Sequence, residues 1–147
     1  MQQKIILSLR DAKAIADVAE KFAIKNGLQV AIVVVDESTH IQYAVRMDGA
    51  GLMTADAALA KARSAAGSGF PTTYWAKVLQ EGGNAVLTIP GVSPVPGGVP
   101  IIVDGRCAGA VGVSGAPPHL DVAVAEAGAT AVTGDSAERA KTQRASE

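Results

Sequence analysis

Six consecutive apolar residues, Val30-Ala31-Ile32-Val33-Val34-Val35, constrain this chain more than any other stretch. All but Ala31 are β-branched, and such side chains pack well on a pleated surface. Successive strand residues point to opposite faces, so a run that is apolar in both phases must be covered on both sides. A central strand is therefore expected over 30–35, with other layers above and below it. The turn-forming Asp36-Glu37-Ser38-Thr39 follows, and then the pattern changes. Over 41–47, Ile41, Tyr43, Val45 and Met47 alternate with Gln42, Ala44 and Arg46, with His40 in the polar phase. The two strands are expected to form a hairpin.

The flanking segments carry helix punctuation. Ser8-Leu9-Arg10-Asp11 has a capping residue followed three positions later by an acid. Ile15, Val18, Ala19, Phe22 and Ala23 recur at helical spacing, and Asn26-Gly27 supplies a stop. These signals predict a helix over 9–25. After the break at Asp48-Gly49-Ala50-Gly51, an Ala-rich helix is expected over 52–66, its contact face formed by Ala55, Leu59, Ala62 and Ala66. Thr72 or Thr73 would cap a short helix reaching residue 80 or 81. A short strand is expected over 85–89, a Pro/Gly-rich loop over 90–98, and strands over 99–103 and 106–114 joined by Asp104-Gly105. One face of the last strand carries only Ala108, Ala110, Gly112 and Ser114, so a helix or a neighbouring subunit must pack close against it. Pro117-Pro118 opens a final helix over 119–127, with Gly128 beyond. Residues 134–147 read as a polar tail. The order α-β-β-α-α-β-β-β-α implies one α+β domain over 1–133, with a mainly antiparallel sheet and helices on both faces.

Other classes are excluded by charge and composition. The net charge is −1, no basic stripe is present, and only Trp75, Tyr43, Tyr74, Phe22 and Phe70 could stack on bases. Nucleic acid is therefore not expected as a partner. The apolar runs are strand-length, so a membrane is not expected either. No signal-peptide pattern opens the sequence, and the single cysteine, Cys107, cannot form an internal disulfide. Both observations point to the cytoplasm. Cys107 is expected to be a buried, inert thiol.

A family resemblance emerges from short strings taken in order. They are Arg46-Met47-Asp48-Gly49-Ala50, Lys61-Ala62, Phe70-Pro71-Thr72, Gly97-Gly98-Val99-Pro100-Ile101, Val111-Gly112-Val113-Ser114-Gly115, and Asp121 with Ala127-Gly128. In this order and spacing the chain resembles the GlcG/HbpS family over about residues 5–133, and is similar to the C-terminal domain of PduO. The resemblance implies a profilin-like α/β/α sandwich with a five-stranded antiparallel sheet, and homo-oligomers. Some members of that family bind haem, and others accompany small-molecule catabolism.

Several residues are candidates for chemistry. Arg46, at a strand end beside a Gly-rich turn, can hold a carboxylate through paired hydrogen bonds, or else form a structural ion pair with Asp48 or Asp56. Lys61 shares a helix face with Thr54, Ala57, Ala58 and Ala65; if that face is buried, its ammonium needs a partner. Arg63 nearby favours a solvated helix and departs from the smaller residue the resemblance implies. Gly97 and Gly98 allow a ligand to approach the backbone. Asp48 is either turn chemistry or, with Lys61 and Glu81, a proton-transfer group. His40 is the candidate haem-iron ligand, and His119 is expected at the surface. The expected function is binding of a small organic acid or a haem-type tetrapyrrole, with no cofactor required and haem possible. The alternative is a cofactor-independent hydrolase or isomerase of small carboxylates.

Overall fold

The computed structural model describes residues 1–145, with side chains described through residue 133. Helix α1 spans Leu9–Lys25, as its punctuation dictates. The Ser8 hydroxyl accepts from the Asp11 N–H at 3.1 Å, and the Asp11 carboxylate accepts from the Ser8 N–H at 3.2 Å. At the other end the Asn26 side chain donates to the Phe22 carbonyl at 2.8 Å. Strands β1 (Ala31–Asp36) and β2 (Ile41–Arg46) form the expected hairpin. Helices α2 (Thr54–Ser68) and α3 (Thr72–Gln80) follow. Strands β3 (Gly98–Val103) and β4 (Arg106–Ser114) form a second hairpin. Asp104 and Gly105 both adopt positive φ, 49° and 73°, which suits the right-handed strand twist.

The four strands make one antiparallel sheet in the order β2-β1-β4-β3. This puts β1 inside the sheet, as its two-sided apolar run requires. On one face Ile32, Val34, Ile101, Val111 and Val113 pack against Ile15 and Ala19 of α1 and Val124 and Ala125 of the last helix. On the other, Ala31, Val33, Val35 and Ala110 meet Ala58, Ala62 and Ala65 of α2. The result is three layers with the sheet in the middle. Each large aliphatic side chain buried in them contributes about 1.5–3 kcal/mol.

Five features depart from the sequence-based expectations. Residues 85–89 do not add a fifth strand: Asn84–Thr88 is a 3-10 helix, and the sheet has four strands among the described residues. The buried face of α2 centres on Ala58, Lys61, Ala62 and Ala65, while Ala55 and Leu59 lie at its margin. Thr72 caps nothing; its hydroxyl accepts from the Gly98 N–H at 2.9 Å and so ties α3 to β3. The small-residue face of β4 is interrupted where the β3–β4 register shifts, which turns Ala108 toward the α1 side. The rest of that face is filled by α2 from within the chain. A Cβ on Gly112 would strike the Ala58 carbonyl, so glycine lets the helix lie directly on the strand.

The last helix, α4 (Pro118–Ala145), does not end at Gly128. That glycine sits against Ile15 and Ala19, where a Cβ would lie 3.0 Å from the Ile15 carbonyl oxygen. It is a point of close helix contact rather than a stop. The boundary at 133 and the polar tail over 134–147 concern residues whose side chains lie outside those described.

Candidate functional site

The candidate residues fall into separate neighbourhoods. Lys61, Gly97 and Gly98 come together in a buried knot. The Lys61 side chain is 5% exposed, and its Nζ donates to the Val113 carbonyl at 2.9 Å and to Asp121 Oδ2 at 3.2 Å. Asp121 Oδ1 in turn accepts from the Ala116 N–H at 3.0 Å. Gly97 presses against this pair: a Cβ there would fall 2.9 Å from Lys61 Nζ, and one on Gly98 would overlap the Lys61 carbonyl. The two glycines thus serve packing against Lys61. The buried face does supply a partner for the ammonium, and that partner is Asp121. Burial pushes the Asp121 carboxyl above its ordinary value, outweighing the backbone N–H of Ala116 and the Lys61 charge, which lower it. The pair joins α2, β4 and the start of α4.

Arg46 and Asp48 are exposed at the end of β2, an outer strand. Arg46 Nη1 approaches the Ala50 carbonyl at 3.5 Å, long for a hydrogen bond, and forms no ion pair with Asp48 or Asp56. Glu81 ends α3, exposed, with one oxygen 4.0 Å from Lys77 Nζ. No hydrogen bond or ion pair connects any two of Arg46, Asp48, Lys61 and Glu81.

A third neighbourhood has the character of a binding site. The C-terminal half of α2, the start of α3 and residues 89–92 enclose a recess of about 530 Å³, well within the ~300–1,000 Å³ usual for small-molecule sites. Phe70, Trp75, Ile89, Pro90 and Val92 form its apolar wall. Phe70 stacks on Tyr74 with centroids 4.6 Å apart, and Trp75 stands edge-on to Tyr74 at 4.9 Å, so the wall is braced. Ser68 accepts from Trp75 Nε1 at 3.3 Å, and Ser64 accepts from the Ser93 N–H at 3.0 Å. Arg63 and Thr39 complete the recess, joined by Arg63 Nε donating to the Thr39 carbonyl at 3.3 Å.

His40 follows Thr39. Its side chain is 77% exposed, with Nδ1 3.9 Å from Asp36 Oδ2. Among the described residues no group of three or more His, Cys, Asp or Glu side chains could hold a metal ion. His119 lies in a smaller apolar notch with Thr73, Pro96, Pro118 and Val122. Cys107 is half-buried, its thiol 3.3 Å from the Gly109 carbonyl, and burial pushes its pKa up. A wider polar recess lies between residues 1–5 and Arg106, but there Arg106 Nη1 already donates to the Gln3 carbonyl at 2.8 Å. Among the described residues no helix is long and apolar enough to cross a membrane.

The aromatic recess was not legible from the sequence. In the sequence Arg63 is a charge in an Ala-rich helix that departs from the family pattern, Phe70 belongs to one of the strings that carry the resemblance, and Trp75 is one of a few aromatics; nothing there brings the three together.

Fold and recesses define a class: a small three-layer α/β/α protein with an antiparallel sheet and ligand-sized hollows between its elements. Comparison with known proteins gives the family. A family model described as haem degrading protein HbpS-like matches residues 7–130. Protein GlcG of Escherichia coli strain K12 is 38% identical over 114 residues, covering 78% of this chain and 85% of GlcG. A double mutant of Streptomyces reticuli HbpS superposes with a TM-score of 0.82 at 35% identity, covering 88% of this chain and 89% of that one. The haem complex of PduOC superposes with a TM-score of 0.78 at 25% identity, covering 86% and 95%. The chain belongs to the GlcG/HbpS family.

Proposed function

We propose that this protein binds a haem-type tetrapyrrole in the recess between α2, α3 and residues 89–92. The observation that carries the reading is the braced apolar wall of Phe70, Trp75, Ile89 and Val92 facing a cavity that also contains a guanidinium, Arg63. A tetrapyrrole asks for such an environment: flat apolar surface for the ring and a cation for its carboxylates. The family's description and the haem complex of PduOC support the same ligand class. His40, beside the Thr39 rim and with its ring exposed, is the residue we assign as donor to the iron. Bound haem would supply redox chemistry; the chain's part is to hold the ring and exclude water from one face.

The test is a titration with hemin, read by Soret absorbance and by quenching of Trp75, the one tryptophan in the chain. A saturable one-to-one band is expected, weakened in Trp75→Ala and altered in position in His40→Ala. Binding that fails to saturate and ignores both substitutions would remove the reading.

A further inference from the structure

We propose that Arg63 reads a carboxylate on the ligand, and that the strained turn at Thr39 holds it in position to do so. This rests on the ligand occupying the aromatic recess.

A guanidinium carries five N–H donors. In Arg63 the Nε donor is used by the Thr39 carbonyl, and among the described residues neither Nη takes part in a hydrogen bond or ion pair. Arg63 is exposed and tethered at one nitrogen, so its Nη groups are open to an incoming carboxylate, and the other residues that line the recess are mostly apolar. The lining of the recess includes no Asp or Glu. An anionic ligand group would find no repelling carboxylate there.

Thr39 explains the fixation. It is β-branched yet adopts φ of +71°, a conformation that such residues avoid. It is the third of the four residues, Glu37 to His40, that connect β1 and β2, at a conformation where glycine is the unstrained choice. The turn is held around it: the Thr39 N–H donates to the Asp36 carbonyl at 3.0 Å, and the Asp36 side chain accepts from the N–H groups of Ser38 and His40, each at 2.9 Å. The strain lies at a residue that lines the recess and whose carbonyl accepts from Arg63. Thr39 is a positioning residue, and Arg63 is the one that touches ligand.

The predicted consequence is preference for a free acid over its ester. Hemin and hemin dimethyl ester would be titrated against the wild type, Arg63→Ala, Arg63→Lys and Thr39→Gly. The wild type should favour the free acid by about tenfold or more, the size expected of a charge-assisted pair. In Arg63→Ala the acid should bind only as well as the ester. Arg63→Lys should restore part of the preference, because it keeps the charge and loses the fork. Thr39→Gly should melt at a higher temperature and yet lose part of the preference, a combination that a merely structural role would not give. An acid preference that survives Arg63→Ala overturns the proposal. So does a wild type that binds both forms equally while Trp75→Ala weakens both, although the tetrapyrrole reading would then stand. A wild type that binds neither form overturns both.

Discussion

Asp121 shows how one side chain can decide the cost of another. Lys61 is buried, and its Nζ donates hydrogen bonds to the Asp121 carboxylate and the Val113 carbonyl. Asp121→Ala should destabilise the protein by about 3–5 kcal/mol, measured by urea unfolding, because a buried charge is left without its partner. Asp121→Asn should also destabilise, because its single amide oxygen can serve the Ala116 N–H only by turning the NH2 group toward Lys61 Nζ. Burial also shifts the Asp121 pKa upward. The same shift sets a pH dependence. The folded chain holds this proton more tightly than the unfolded chain, so acidification through the raised pKa toward the ordinary carboxylate range removes a cost of folding. Wild-type stability should therefore gain on that of Asp121→Asn as the pH falls through this window. A flat difference between the two would contradict the assignment.

At the scale of elements, the decisive feature is how closely α2 lies on the sheet. Its contact side is alanine, and Gly112 beneath it has no side chain at all. Gly112→Ala would place a methyl group against the backbone of α2 at Ala58, where no rotamer change can relieve it. The expected loss is about 3 kcal/mol, the upper part of the usual range for overpacking, again by urea unfolding. An effect below 1 kcal/mol would mean that α2 can lift off β4 more easily than this packing implies. Helix α3 contrasts with α2: Thr72 is its one buried residue, and its aromatic side chains pack mainly on one another and on the recess.

Across the whole molecule this contrast predicts uneven stability. β1 and β4 are shared by both helical layers, so opening them means losing the core, whereas residues 72–96 are anchored by few buried side chains. Native-state hydrogen exchange should find the greatest protection in β1, β4 and α2 and much less in α3 and the 3-10 helix, with a tetrapyrrole raising protection in the latter. Uniform protection would mean that the recess is as firmly built as the core. By itself the sequence determined the central strand, the two hairpins, the helix starts and stops around α1 and the turn at Asp104-Gly105, because each depends on residues within a few positions of one another. It also determined that Lys61, if buried, needed a partner. Only the tertiary structure decided that the partner is Asp121, sixty positions away, that residues 84–88 coil rather than pair, and that Gly128 meets α1 instead of ending α4. The same holds for the recess, whose walls come from the turn after β1, from α2, from α3 and from the loop after the 3-10 helix. Distant segments meet according to how the layers pack, and no local pattern records which side chains that packing brings together.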